Sequence, residues 1–154
     1  HTNDAPSAIT RMLDLGVPAY LLSATMLGVM AQRLVRILCP HCKEVHDANP
    51  IEETMWEQLV APWKANRPRR FHRPAGCLDC RMTGYLGRLG LYEILLLSPD
   101  VKLAISENRE IAKIRDLAYR EGMKPLRISG AMKVAAGVTT LAEVFKVAPP
   151  IEQS

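Results

Sequence analysis

The sequence predicts an α+β chain, and three observations lead to that expectation. Cys39-Pro40-His41-Cys42 and Cys77-Leu78-Asp79-Cys80 use all four cysteines of the 154-residue chain and stand 34 residues apart. Short runs at residues 33–38 and 91–97 have the apolar content and length of strands that flank those knuckles. From Ser98 onwards, N-cap, proline and glycine signals mark out a series of short helices. The chain then divides into three pieces: residues 1–38, the cysteine-bearing residues 39–80, and a strand with a mostly helical remainder at 81–154.

Along the first piece, Ile9, Met12, Leu13 and Leu15 fall on one helical face, and Gly16 is the expected stop. Val17-Pro18 restarts the chain. Tyr20, Leu21, Leu22, Met26, Leu27, Val29 and Met30 are apolar on more than one face, which predicts a second, buried helix in need of a partner. Residues 33–38 then form the strand that delivers Cys39.

Between the knuckles, residues 43–50 read as a loop, and residues 51–60 as a short amphipathic helix ending near Pro62. Arg67-Pro68-Arg69-Arg70-Phe71-His72-Arg73-Pro74 reads as a basic loop. After Cys80, glycines at 84, 87 and 90 suggest turns around the second knuckle, with Tyr85 and Tyr92 packing beside them. Ser98-Pro99-Asp100 opens a helix through about Ser106, and residues 110–121 form another that Gly122 stops. Pro125 opens a third helix, closed by Gly137. Thr140 and Glu143 have the spacing of a capping box for the last.

Composition excludes several function classes. The formal charge of +4 and pI near 9.0 are mild, and acids at 44, 47, 52, 53, 57 and 79 offset the basic run, so no nucleic-acid partner is expected. No apolar run approaches the roughly 18 residues of a membrane span, so the chain reads as soluble and cytosolic. It begins at His1 without an initiator Met, a start that suggests a fragment. A Gly-Lys-Ser/Thr phosphate loop occurs nowhere in it.

Four thiols in two such pairs suit a tetrahedral zinc site with a structural role. A metal there would close a long loop and stabilise it. Two other readings stand beside it. Cys39-Pro-His-Cys42 has the letters of a thiol-disulfide oxidoreductase, which requires a helix N-terminus at the first thiol and leaves the second pair idle. Disulfides between the pairs require an oxidising compartment. His41, His46 and His72 could each replace a thiolate, although the complete cysteine set favours solvent-facing or core roles for them.

The ordered motifs carry a resemblance over nearly the whole length. His1-Thr2-Asn3 with Leu15-Gly16, then Ala31-Gln32-Arg33-Leu34-Val35-Arg36, the tetracysteine set, and Thr83-Gly84-Tyr85-Leu86-Gly87-Arg88-x-Gly90-x-Tyr92-Glu93 follow one another. Gly122-Met123-x-x-Leu126 and Gly137-Val138-Thr139-Thr140-x-x-Glu143 complete the set. The chain resembles the C-terminal part of a type II secretion or type IV pilus assembly ATPase, a family of cytoplasmic hexameric motors with a RecA-like P-loop core.

That resemblance implies specific expectations. Residues 1–38 would end the RecA-like core, residues 39–80 would form the zinc subdomain, and residues 81–154 the strand and helical subdomain. Cys39, Cys42, Cys77 and Cys80 would hold zinc. His1 would end the family's histidine box, near the terminal phosphate. Arg33, Arg36 and Arg88 are candidates for the nucleotide site or a subunit interface, with structural salt bridges as the alternative. The whole protein would bind ATP and magnesium, form a homo-hexamer, and associate peripherally with the inner membrane through platform proteins of a secretion or pilus machine. Without the phosphate-binding loop, this polypeptide alone is expected not to hydrolyse ATP. The alternative from another class is a free-standing zinc-binding interaction module.

Overall fold

The computed structural model describes residues 3–108 and 110–152. The architecture is α+β: seven helices and two small two-stranded sheets among the described residues. Backbone packing divides the chain into two compact units. Unit 1 contains residues 1–31, 92–125 and 152–154, and unit 2 contains residues 32–91 and 126–151.

Unit 1 is built on helices. Helix α1 (Ala5–Asp14) starts at Asp4, whose side chain accepts the Ser7 N–H, and its C-terminal turn ends before Gly16 at φ 96°. Ile9 is buried, Met12 and Leu13 are partly covered, and Leu15, past the helix end, is exposed. Helix α2 (Ala19–Thr25) is shorter than the sequence suggests and is not a buried helix. Only Leu22 is buried in it, whereas Tyr20 is 73% exposed and the following Leu27 85% exposed. Helices α4 (Pro99–Ser106) and α5 (Ile111–Arg120) follow their sequence signals closely. Ser98 caps α4 through the Val101 N–H, with Pro99 at the first helical turn, where a missing N–H costs nothing. Ile9, Leu95, Val101, Ile105, Ile114 and Ala118 belong to one buried cluster.

The chain turns to strand earlier than expected. Strand β1 runs Gly28–Leu38, so Gly28, Val29 and Met30 are extended. A short apolar run does not distinguish a buried helix from a strand by periodicity, and pairing decides here. Its partner is β4 (Tyr85–Leu96), which likewise begins six residues before the expected start, in a stretch read as turns. The Leu97 N–H donates to the Leu27 carbonyl at 3.0 Å and the Cys39 N–H to the Gly84 carbonyl at 2.9 Å, so the strands run antiparallel. Along β4, Leu91, Glu93 and Leu95 are buried and alternate with exposed Tyr92, Ile94 and Leu96.

Unit 2 holds α3 (Pro50–Val60), α6 (Leu126–Ala135), α7 (Leu141–Val147) and a second ribbon. Residues 43–50 are not simply a loop. Strand β2 (Glu44–Asp47) pairs antiparallel with β3 (Arg70–Arg73), which lies in the run read as a basic loop. In register, Glu44 faces Arg73 and Asp47 faces Arg70, and each pair closes as an ion pair, at 2.9 and 3.3 Å. Asn49 and Glu52 form a reciprocal capping box on α3. Trp56 and Phe71 are buried with ring centres 6.3 Å apart, and the Trp56 indole donates to the Ala65 carbonyl at 3.1 Å. Within α6, Gly130 lets α7 approach: a β-carbon there would lie 2.4 Å from Val144 Cγ1.

Candidate metal centre

The four cysteines come together in unit 2 through two turns of similar construction. Strand β1 ends at Leu38, whose N–H is taken by the Val138 carbonyl at 2.8 Å, and this fixes the point from which Cys39 projects. The chain then folds back, with the Lys43 N–H on the Cys39 carbonyl at 3.0 Å. In the second knuckle, the Met82 N–H donates to the Cys77 carbonyl at 2.8 Å and the Thr83 N–H to the Cys80 carbonyl at 3.2 Å. Arg81 and Met82 take φ of 55° and 64°, in the left-handed region that few non-glycine residues adopt. Gly84, at φ 82°, closes the turn against Pro74. A β-carbon there would sit 2.3 Å from Pro74 Cβ, so both backbone and space require glycine.

The sulfur geometry tests whether zinc fits. All four Sγ atoms lie within 4.8 Å of one another. Cys39 and Cys77 are 3.8 Å apart, Cys42 and Cys80 3.8 Å, and Cys77 and Cys80 3.7 Å. A zinc–thiolate bond of about 2.3 Å puts the corners of a regular tetrahedron about 3.8 Å apart, so the donor set fits a four-thiolate zinc ion. No disulfide is formed among these cysteines. Nor does the redox geometry exist: Cys39 has no exposed surface and stands at the end of a strand, not at the start of a helix.

Backbone amides surround the sulfurs. The Gly76 N–H points to Cys42 Sγ at 3.3 Å, the Cys77 N–H to Cys80 Sγ at 3.3 Å, and the Gly84 N–H to the same sulfur at 3.2 Å. Burial opposes ionisation of Cys80. The hydrogen bonds from the Cys77 and Gly84 backbone and from the Cys77 and Cys42 thiols outweigh it and lower this thiol to about 6. At Cys80 the knuckle is thus arranged for a thiolate, the form a metal takes.

Among the described residues, no histidine joins the set. His41 is exposed. His46 Nε2 lies 2.8 Å from Glu52 Oε2. His72 is half-buried with its ring against Gly137, and burial, then the charges of Lys43 and His46, hold its imidazole below the ordinary range.

Around the first knuckle, long-range polar contacts tie residues 36–43 to residues 137–143. Lys43 Nζ donates to the Gly137 carbonyl at 2.9 Å, and Thr139 Oγ1 donates to the Arg36 carbonyl at 2.8 Å. Arg36 Nη2 is 2.7 Å from Glu143 Oε1, the Arg36 backbone N–H donates to Oε2 at 2.9 Å, and the guanidinium lies 4.0 Å from the centre of the Tyr85 ring. The expected capping box of α7 is therefore half present. Thr140 accepts the Glu143 N–H at 3.3 Å, while the Glu143 carboxylate serves Arg36.

The sequence profile of the family described as type II/IV secretion system protein matches residues 1–146. The chain belongs to that family. It is 46% identical over 149 residues to the type IV pilus assembly ATPase TfpB of Acinetobacter baylyi, covering 97% of this chain and 25% of that protein. It is 41% identical over 148 residues to the type II secretion system protein E of Klebsiella pneumoniae, covering 96% and 28%. The type IV pilus assembly ATPase PilB of Pseudomonas aeruginosa is 38% identical over 147 residues, covering 96% and 25%. The chain spans about a quarter of the length of these relatives.

Within this type II/IV secretion family member, the other residues singled out by sequence are dispersed. His1 lies outside the described residues. Arg33 is half-buried on β1 with Nη1 donating to the Gln32 carbonyl at 2.9 Å, and Arg88 is exposed on β4. Arg36 makes the salt bridge already described. The run at 67–73 is largely neutralised, because Arg67 pairs with Glu53 at 3.5 Å and Arg70 and Arg73 with Asp47 and Glu44. No helix among the described residues is long and apolar enough to cross a membrane.

Proposed function

We propose that this chain is the C-terminal part of a hexameric ATPase that powers type II secretion or type IV pilus assembly from the cytoplasmic side of the inner membrane. The observation that supports it is the family match across nearly the whole chain, with pilus-assembly ATPases among the relatives. In this reading, residues 1–38 close a RecA-like core, residues 39–80 form the zinc subdomain and residues 81–154 the strand and helical subdomain. His1 ends the histidine box. Arg33 and Arg88 remain candidates for the nucleotide site or subunit interface, and Arg36 serves chiefly as the tie to Glu143. ATP and magnesium would bind mainly through the P-loop and acidic groups of the whole protein, so the polypeptide studied alone does not turn over ATP.

Zinc is the proposed resident metal of unit 2, held by Cys39, Cys42, Cys77 and Cys80. Bound there, it supplies a closed structural cross-link and no reaction. The chain's own contribution is to hold the four sulfurs at tetrahedral spacing, offer them N–H donors, and bury two of the four cysteines, Cys39 and Cys80. Contact with an inner-membrane platform protein through residues 67–73 belongs to the same proposal, although the ion pairs there leave it little net charge to use.

Elemental analysis and an ATPase assay on one sample test this reading. About one zinc per chain without turnover here, together with turnover by the longer polypeptide carrying the upstream segment, is the expected result. Absence of zinc from protein purified without chelators would remove the metal centre. A longer polypeptide that neither binds nor hydrolyses ATP would remove the motor.

A further inference from the structure

A buried charged cluster at the start of α1, in unit 1, has no part in the metal centre. Asp4, Glu93 and Arg115 are 5%, 3% and 6% exposed. Asp4 Oδ1 accepts the Ser7 N–H at 3.0 Å and the Ser7 hydroxyl, while Oδ2 takes the Arg115 Nε–H at 2.9 Å. Glu93 Oε1 accepts the Ala5 N–H at 2.9 Å from 88 residues away. Two first-turn N–H groups of α1 are therefore bound by carboxylates, one of which comes from β4.

Capping a helix does not require this. A serine or asparagine at position 4 satisfies the same N–H without burying charge. Two carboxylates and one guanidinium inside a protein are costly unless every group is hydrogen-bonded, and removing one partner leaves a charge stranded. What the cluster adds is fixation. The Ala5 backbone N–H and the Asp4 side chain are gripped from two elements remote in sequence, β4 and α5. Tyr119 stands beside it, its phenol pushed up by burial and then by the Glu93 charge, so it stays neutral.

We propose that Glu93 and Arg115 are positioning residues for ATP turnover. By holding Ala5 and Asp4 they fix the point at which the chain enters α1, next in sequence to the segment read as the histidine box. The inference rests on the histidine-box reading of that segment given under the proposed function. It assigns a task to the final Glu of the Gly-Arg-x-Gly-x-Tyr-Glu motif, whose role the resemblance leaves open.

The test uses Glu93→Ala and Glu93→Gln, with Val101→Ala as a control that thins the same buried cluster away from α1. In the longer polypeptide, Glu93→Ala is expected to lower kcat about ten- to a hundredfold through misplacement, with KM for ATP near the wild-type value. Glu93→Gln keeps an oxygen for the Ala5 N–H and is expected to stay within about threefold of wild type. Val101→Ala is expected to lower the melting temperature without changing kcat. In the 154-residue chain, amide exchange at Ala5 should accelerate in Glu93→Ala and not in Glu93→Gln.

Wild-type turnover with Glu93→Ala unaffected, or with kcat falling equally in Glu93→Gln, overturns the positioning role while leaving the motor intact. Unchanged exchange at Ala5 overturns the grip itself. Absence of wild-type turnover overturns the proposed function, and the positioning role with it.

Discussion

Unit 1 buries Ile9, Leu95, Val101, Ile105 and Ile114 in a helical core and also buries the charged side chains of Asp4, Glu93 and Arg115. Unit 2 has its own buried residues in Trp56, Leu59, Phe71, Leu126 and Val144, but its segments at 39–42 and 77–80 are joined side chain to side chain by four thiols at metal-ligand spacing. The two units of one chain thus depend on different physics. Apolar burial is distributed over many contacts and degrades gradually, whereas a four-thiolate site is lost as a whole. That difference can be broken selectively.

The largest effect is expected from stripping the zinc proposed for the cysteine cluster. Structural zinc contributes on the order of 10 kcal/mol in small domains, more than any single side chain. Both tryptophans, Trp56 and Trp63, lie in unit 2, so indole fluorescence reports that unit alone. A strong chelator, or Cys39→Ser, should shift the emission to the red and expose amides of residues 32–91 to exchange, while Ile9, Val101 and Ile114 stay protected. Unchanged emission after the zinc has been removed would show that unit 2 does not need its clip.

Next in size is the buried charge of unit 1. Arg115→Ala strands Asp4 and is expected to cost about 3–5 kcal/mol in urea unfolding. The double variant Asp4→Ala/Arg115→Ala should recover part of that loss, because Asp4 is no longer stranded and Glu93 alone is left buried, on the Ala5 N–H. A double variant as unstable as the sum of the singles would mean that the two side chains do not act as a pair.

Glycine substitutions sharpen the comparison at smaller scale. Gly16 and Gly84 both have positive φ, but nothing lies within 4 Å of a β-carbon at Gly16, whereas at Gly84 it would overlap Pro74. Gly16→Ala is expected to cost about 1 kcal/mol from conformation alone. Gly84→Ala adds overpacking, for a total of roughly 2–4 kcal/mol, and should also weaken zinc retention in competition with a chelator. Equal losses at the two sites would show that the Pro74 contact relaxes freely.

How far the sequence disclosed this structure follows the same division. Local chemistry was legible. Ser98 and Pro99 start α4, Thr140 starts α7, and the cysteine pairs announce their own cluster, because caps and metal ligands are specified by a few adjacent residues. The β2–β3 ribbon was not legible, because its strands are polar and its support is cross-strand. Glu44 and Asp47 are matched to Arg73 and Arg70, and the pairing exists only once the ends have met. The strand at Gly28–Met30 was read as helix for the opposite reason, since its residues are apolar throughout and give no period. The ties of Arg36 to Glu143 and of Glu93 to Ala5 join positions 107 and 88 residues apart and left no trace in local pattern.

The smallest effect expected concerns that Arg36–Glu143 tie, and its sign is fixed by titration. Burial pushes the Glu143 carboxyl up, but hydrogen bonds from the Arg36 side chain and backbone, then the charges of Arg36 and Lys146, more than offset this and hold it below the ordinary carboxylate range. A group lowered on folding contributes stability above its unfolded value, about 4.3, and that contribution is lost as pH falls through the lower folded value. Because the Arg36 side chain is 47% exposed, solvent screening limits the gain to about 1 kcal/mol or less. Acid also protonates thiolates of the cysteine cluster and would release the zinc proposed there, so the absolute pH profile of unit 2 would mix two processes. The difference between wild type and Glu143→Gln isolates the carboxylate, since both proteins carry the same metal site. That difference should be present at neutral pH and shrink toward zero below the folded value. A gap that stays constant into acid would mean that Glu143 works through its hydrogen bonds alone, and that its charge contributes nothing to holding Arg36.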